Sequence, residues 1–115
     1  MFFGEHDSHV VGNRISIPIR LRKGMGDSVF LAPDKRSGCV SLIPCESDHL
    51  ISRDALRAEI DLYNRIQIPN SLSKFFPNRD IVFLGVGNSI EVWDREKWKD
   101  YKAKPSFREL LASKI

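Results

Sequence analysis

Short alternating stretches of apolar and polar residues run along this chain, punctuated by Gly, Asn and Pro, which predicts strands joined by tight turns. Residues 6–11 lead into Gly12-Asn13, after which Arg14-Ile15-Ser16-Ile17 alternates. Gly-Asn between two such runs predicts a two-residue hairpin, because a primed turn needs positive φ at its centre. The period of two puts Ile15 and Ile17 on one face and Arg14 and Ser16 on the other. Pro18 stops the ladder and opens a short helix over 19–23, ended by Gly24 and Gly26. Residues 29–32 and 39–43 form a second strand pair around a polar loop, with Pro44 closing the unit.

The same plan then returns. Asn13-Arg14-Ile15-Ser16-Ile17-Pro18 is echoed by Asn64-Arg65-Ile66-Gln67-Ile68-Pro69 at an offset of 51 residues, with Leu21/Leu72 and Lys23/Lys74 following suit. Val29-Phe30-Leu31 is answered by Val82-Phe83-Leu84 with two residues of slippage. Two copies of one supersecondary unit, each completing the other's core, account for such self-similarity. Residues 59–62 read as a strand, Tyr63-Asn64 as the turn, 65–68 as the return strand and 69–75 as the short helix, with Asn70 or Ser71 free to meet its early amides. Residues 81–85 and 89–93 pair around Val86-Gly87-Asn88. Asp94 caps a helix in which Trp98 and Tyr101 share a face, and 105–114 carries Phe107, Leu110 and Leu111 at amphipathic spacing. The units therefore span 1–45 and 59–101, joined by a connector at 46–58 with some helix and followed by a tail at 102–115. The fold class is mainly β with short helices (α+β).

Composition narrows the classes. A length of 115 residues with 42% hydrophobic content suits one compact domain with a single core. No apolar run approaches the roughly 20 residues of a membrane span, and the start, Met1-Phe2-Phe3-Gly4-Glu5-His6-Asp7, lacks the basic and apolar regions of a signal peptide. Cys39 and Cys45 are too few for a disulfide framework, which points to reduced thiols in the cytoplasm. His6, His9 and His49 fit no zinc spacing even with those cysteines, so neither metal nor cofactor is expected. There is no Gly-x-Ser-x-Gly elbow and no His-Glu-x-x-His helix, and Gly85-Val86-Gly87-Asn88 lacks the Lys-Ser/Thr of a phosphate loop. Binding, not catalysis of a small-molecule substrate, is the expectation.

The net charge is +3, and its distribution matters more. Arg14, Arg20, Arg22 and Lys23 fall within ten residues free of acid, whereas eleven of fifteen acidic residues lie from Glu46 onward. A basic stretch beside a repeated motif suits phosphate contact, and a solvated basic surface is the alternative. Asp61 and Arg65 stand four apart across a turn, where an ion pair can brace the hairpin. Arg14 has Val10 in the matching slot, which leaves it freer to reach a phosphate or the edge of a guanine. Trp93, Trp98, Tyr101 and Phe107 read as packing aromatics where strand meets helix.

Four passages resemble the SpoVT/AbrB superfamily of DNA-binding barrels, and within it the MraZ family. They are Met1-Phe2-Phe3-Gly4-Glu5, Asn13-Arg14-Ile15-Ser16-Ile17-Pro18, Asp61-Leu62-Tyr63-Asn64-Arg65-Ile66-Gln67-Ile68-Pro69, and Val82-Phe83-Leu84-Gly85-Val86-Gly87-Asn88-Ser89-Ile90-Glu91-Val92-Trp93-Asp94. The last, followed by Arg95-Glu96-Lys97-Trp98, is the most specific. The resemblance implies a pseudo-symmetric AbrB-like swapped-hairpin barrel formed by two intrachain repeats. It also implies a ring-like homo-oligomer in the cytoplasm and nucleoid, and double-stranded promoter DNA of the division and cell wall gene cluster as the ligand. Arg14 and the basic residues of the short helix, Arg20, Arg22 and Lys23, are the residues expected to contact it. This chain departs from the family pattern at Val10, where an aspartate is usual, at Gly12-Asn13, and in a shorter connector. Those departures leave open an oligomeric assembly module that keeps the barrel without reading DNA.

Overall fold

A computed structural model describes residues 1–46 and 51–103 of the chain. Strands β1 (Glu5–Val11), β2 (Arg14–Ser16), β3 (Ser28–Asp34), β4 (Cys39–Pro44), β5 (Leu56–Glu59), β6 (Arg65–Gln67), β7 (Asp80–Gly85) and β8 (Ile90–Asp94) are joined by two helices, α1 (Ile19–Arg22) and α2 (Arg95–Ala103), and a 3-10 helix at Asn70–Phe75. They form one antiparallel sheet in the order β5-β3-β4-β8-β7-β1-β2-β6. Its two end strands lie side by side, so the sheet curls into a nearly closed barrel and few strand edges face water.

The first hairpin forms at Gly12-Asn13, with Val11 opposite Arg14 and Val10 opposite Ile15. Gly12 alone takes positive φ (62°) there, the pattern of a II′ turn. β3 pairs with β4 and β7 with β8; β3, β4 and β7 are a little longer than the sequence pattern indicates, and β8 is shifted by one residue. The remaining pairings cross between the halves of the chain. β1 lies against β7, and β5 lies against β3.

β2 and β6, which carry the repeated phrase, pair with each other. Ile15 stands opposite Ile66, flanked by Arg14 opposite Gln67 and Ser16 opposite Arg65. Beyond them Ile17 N donates to Asn64 O (2.8 Å) and Ile68 N donates to Asn13 O (2.6 Å). The 51-residue offset exchanges each of these contacts with its partner, so a local two-fold passes through the Ile15–Ile66 pair.

Alternation fills the barrel. Ile15, Val29, Leu31, Leu42, Ile66, Ile81, Phe83, Ile90 and Val92 point inward and are buried, joined by Leu21 from α1 and by Leu72 and Phe75 from the 3-10 helix. The intervening residues Cys39, Val82 and Trp93 pack outside the barrel against Trp98 of α2. Covered on both faces, β7 and β8 therefore read as nearly continuous apolar runs. Trp93 lies 5.1 Å from Trp98 and 5.0 Å from Tyr101 between ring centroids, the packing role their positions suggest. Lys102 and Trp98 both reach Glu5 of β1, and Arg95 faces Asp7 at 3.6 Å, so α2 is tied across to the first strand.

Four local expectations are corrected. Among the described residues 51–59 there is no helix, and Leu56–Glu59 is a strand because β3 offers it a free edge. Residues 59–62 do not form a strand against 65–68. Instead Asn64 N donates to Asp61 O and Asp61 N to Arg65 O (both 3.0 Å), with Asn64 at φ 60°, a three-residue loop of the type I plus bulge kind. The Asp94 carboxylate turns away from helix α2 and accepts from Asn78 N (3.1 Å) and Asn78 Nδ2 (3.2 Å). Neither Asn70 nor Ser71 caps the 3-10 helix with its side chain. His49 and residues 105–114 lie outside the described residues.

Candidate nucleic-acid interface

The outward face of β2 and β6 follows from the burial of Ile15 and Ile66. Arg14 and Ser16 on one strand, and Arg65 and Gln67 on the other, are left pointing away from the barrel. Cross-strand neighbours lie within reach of each other's side chains, so this face sets Arg14 beside Gln67 and Arg65 beside Ser16. Gln67 carried no signal of its own in the sequence. The 51-residue offset from Ser16 would have found it.

The two arginines live in different surroundings. Arg65 Nε lies 3.0 Å from Asp61 Oδ2, while Asp61 Oδ1 accepts from the amides of Tyr63 and Arg65 at 2.9 Å each. The Arg65 guanidinium also sits 5.1 Å from the centre of the Tyr63 ring. The Arg65 amide foremost, then the Tyr63 amide and the Arg65 guanidinium, hold the Asp61 carboxyl below its ordinary value. Arg14 is exposed, and among the described residues it has no hydrogen-bond or ion-pair partner.

The basic residues after Pro18 divide likewise. Arg20 and Lys23 are exposed at α1 and its end. Arg22 is half-buried and committed within the protein: Nε donates to Asn64 Oδ1 (3.0 Å), one terminal nitrogen donates to Gly26 O (2.6 Å), and the other faces Asp27 at 3.9 Å. It straps α1 to the second turn. Arg79, which nothing in the sequence marks, reaches the first turn in a comparable way.

Among the described residues no three His, Cys, Asp or Glu side chains gather as a metal site. The thiols differ in character. Burial pushes Cys39 up to about 11, whereas Cys45 is partly exposed at the end of β4. Because the thiolate is the nucleophile, iodoacetamide at neutral pH is expected to label Cys45 in the native protein and Cys39 only after unfolding. Peptide mapping by mass spectrometry reads this out, and equal labelling would contradict the packing of Cys39 under α2.

The fold and these turns define a small antiparallel β-barrel protein bearing an arginine turn at each of two equivalent places. A family model described as "MraZ protein, putative antitoxin-like" matches residues 51–113. A protein named Transcriptional regulator MraZ from Clostridium tetani is 31% identical, over all of this chain and 96% of that protein. Proteins of the same name from Natranaerobius thermophilus and Heliobacterium modesticaldum are 28% and 29% identical, covering 96% and 100% of this chain and 94% and 97% of their own lengths. That is a regulator's name and not an enzyme's. This chain belongs to the MraZ family. Its alignment with the Clostridium tetani protein runs over 138 positions against 115 residues here, so that relative carries segments this chain lacks.

Proposed function

We propose that this chain is a sequence-specific DNA-binding transcriptional regulator of the division and cell wall gene cluster and of its own promoter. It acts in the cytoplasm, on the nucleoid, as a homo-oligomer. The observation that carries the reading is Arg14, a guanidinium presented on the outward β2–β6 face without an internal partner. The name shared by its relatives supports it.

A two-stranded ribbon fits the major groove, where an arginine can take the O6 and N7 acceptors of guanine and a glutamine the edge of adenine. Arg14 and Gln67 stand side by side for that purpose. Arg20 and Lys23 supply phosphate contacts, which position the protein and make its affinity fall with salt. Arg22 takes part through the shape of the second turn, since its donors are already engaged. One subunit offers few contacts, and several subunits on repeated short elements turn them into useful affinity.

A gel-shift titration on the chain's own upstream region tests this. Arg14→Ala is expected to bind about tenfold more weakly at matched salt, since a base contact of this kind contributes about 1–3 kcal/mol. Equal affinity would remove Arg14 from the interface. A second reading, an oligomeric assembly module without DNA affinity, draws on Leu62 and Tyr63, which stand exposed at the second turn. Light scattering that finds an oligomer, with no salt-dependent DNA affinity, would favour it.

A further inference from the structure

The two arginine turns differ in backbone, a two-residue turn at Gly12-Asn13 and a three-residue loop before Arg65, and they are braced by opposite charges. In the second turn the Asp61 carboxylate gathers the amides of Tyr63 and Arg65. In the first, Val10 stands in that slot and its side chain offers nothing polar. A cation arrives there from elsewhere in the chain: one terminal nitrogen of Arg79 donates to Gly12 O (2.8 Å) and Val10 O (3.2 Å). We infer that Arg79 is the positioning residue of the first turn, holding Gly12-Asn13 so that Arg14 faces its ligand, a role that rests on the DNA-binding reading above.

Three features support this. Val10 N donates to Arg79 O (2.7 Å), so the residue whose side chain reaches the turn is itself fixed to the strand that enters it. Arg79 also holds φ at 65°, a left-handed value that costs a non-glycine residue free energy and persists where its surroundings impose it. Finally, the turn overhangs a cleft of about 180 Å³ lined by Val10, Gly12, Asn13, Ile68, Phe76 and Arg79. With little packing beneath it, the turn is held by the Ile68 N to Asn13 O bond (2.6 Å) and by the Arg79 clamp on the Val10 and Gly12 carbonyls.

The inference gives Arg79 no contact with DNA, and the test turns on that. Arg79→Met removes the donors while keeping the aliphatic stem, and Arg79→Lys restores a cation within reach of the carbonyls. Arg79→Met is expected to bind the upstream DNA about tenfold more weakly, with its melting temperature nearly unchanged, and Arg79→Lys to recover most of that loss. The slope of log affinity against log salt stays that of the parent, and in an Arg14→Ala background Arg79→Met costs nothing more. A slope reduced by about one, with a loss that adds to that of Arg14→Ala, would make Arg79 a phosphate contact and overturn the assignment. Amide hydrogen exchange at Arg14, paired with Val11 across the turn, and at Ile68, whose N–H donates to Asn13 O, measured without DNA, is expected to quicken in Arg79→Met. If the parent chain bound no DNA, the regulatory reading would fall, and this exchange alone would decide whether Arg79 holds the turn: faster supports it, unchanged overturns it.

Discussion

Gly85→Ala is expected to lower the unfolding free energy by about 2–4 kcal/mol. A Cβ at Gly85 would fall closest to the Phe3 nitrogen, and within 2.5 Å of the Phe2 carbonyl carbon and 2.7 Å of the Phe3 Cα. These are backbone atoms, which no rotamer change can move aside. The amino-terminal segment is pinned here by Phe2 N to Gly87 O (2.7 Å), Gly87 N to Phe2 O (3.0 Å) and Gly85 N to Gly4 O (2.9 Å). It cannot retreat without withdrawing the Phe2 ring, which is 6% exposed and belongs to the barrel core. Either the ring leaves the core or β7 shifts.

Gly87→Ala is the control. That residue sits at φ 88°, and its added Cβ would meet only the Met1 side chain at 3.8 Å, so the cost there is backbone strain of about 1–2 kcal/mol. Urea unfolding of the two variants separates close approach from dihedral strain. If Gly85→Ala cost no more than Gly87→Ala, the amino-terminal segment would not be docked as described.

The parts of this fold legible in the sequence are those whose partners lie close along the chain. Gly12-Asn13 announced its hairpin, and both β3–β4 and β7–β8 showed as apolar runs around polar turns. The swap was legible only through the family resemblance and not from the residue pattern, because β1 reaches β7 and β5 reaches β3 across the halves, and no local signal marks a partner so distant. β5 shows why. Ala55-Leu56-Arg57-Ala58-Glu59 consists of good helix formers, yet Leu56 lies opposite Leu31 and Ala58 opposite Val29. The free edge of β3 outweighs a propensity difference of a few tenths of a kcal/mol per residue.

The candidate site divides in the same way. The offset between the two phrases showed both arginines and the aspartate beside one of them. Arg22 looked like a free cation on a short helix, and only the fold brings Asn64 to it. Arg79 was invisible for the same reason, since its carbonyl partners lie 67 and 69 residues away.

Ile15→Ala and Ile66→Ala are each expected to destabilise the protein by about 2–4 kcal/mol, the range for a buried isoleucine cut back to alanine. These residues are 1% and 0% exposed and stand opposite each other at the local two-fold. β2 and β6 are only three residues long, so their ladder is brief and the contact beneath it holds them together. The single variants open the same cavity from opposite sides. The second truncation therefore removes contacts that the first has already loosened, and the double variant should lose less than the summed effects, by about 0.5 kcal/mol or more. A loss near 5 kcal/mol still approaches the whole stability of a small domain, and the double variant should unfold at low urea. The effect reaches the outer face as well, because the same two strands carry Arg14 and Gln67. DNA affinity measured below each variant's unfolding transition should fall in Ile15→Ala and Ile66→Ala alike. Strictly additive losses, or either single loss below about 1 kcal/mol, would mean that the two halves do not meet at this pair.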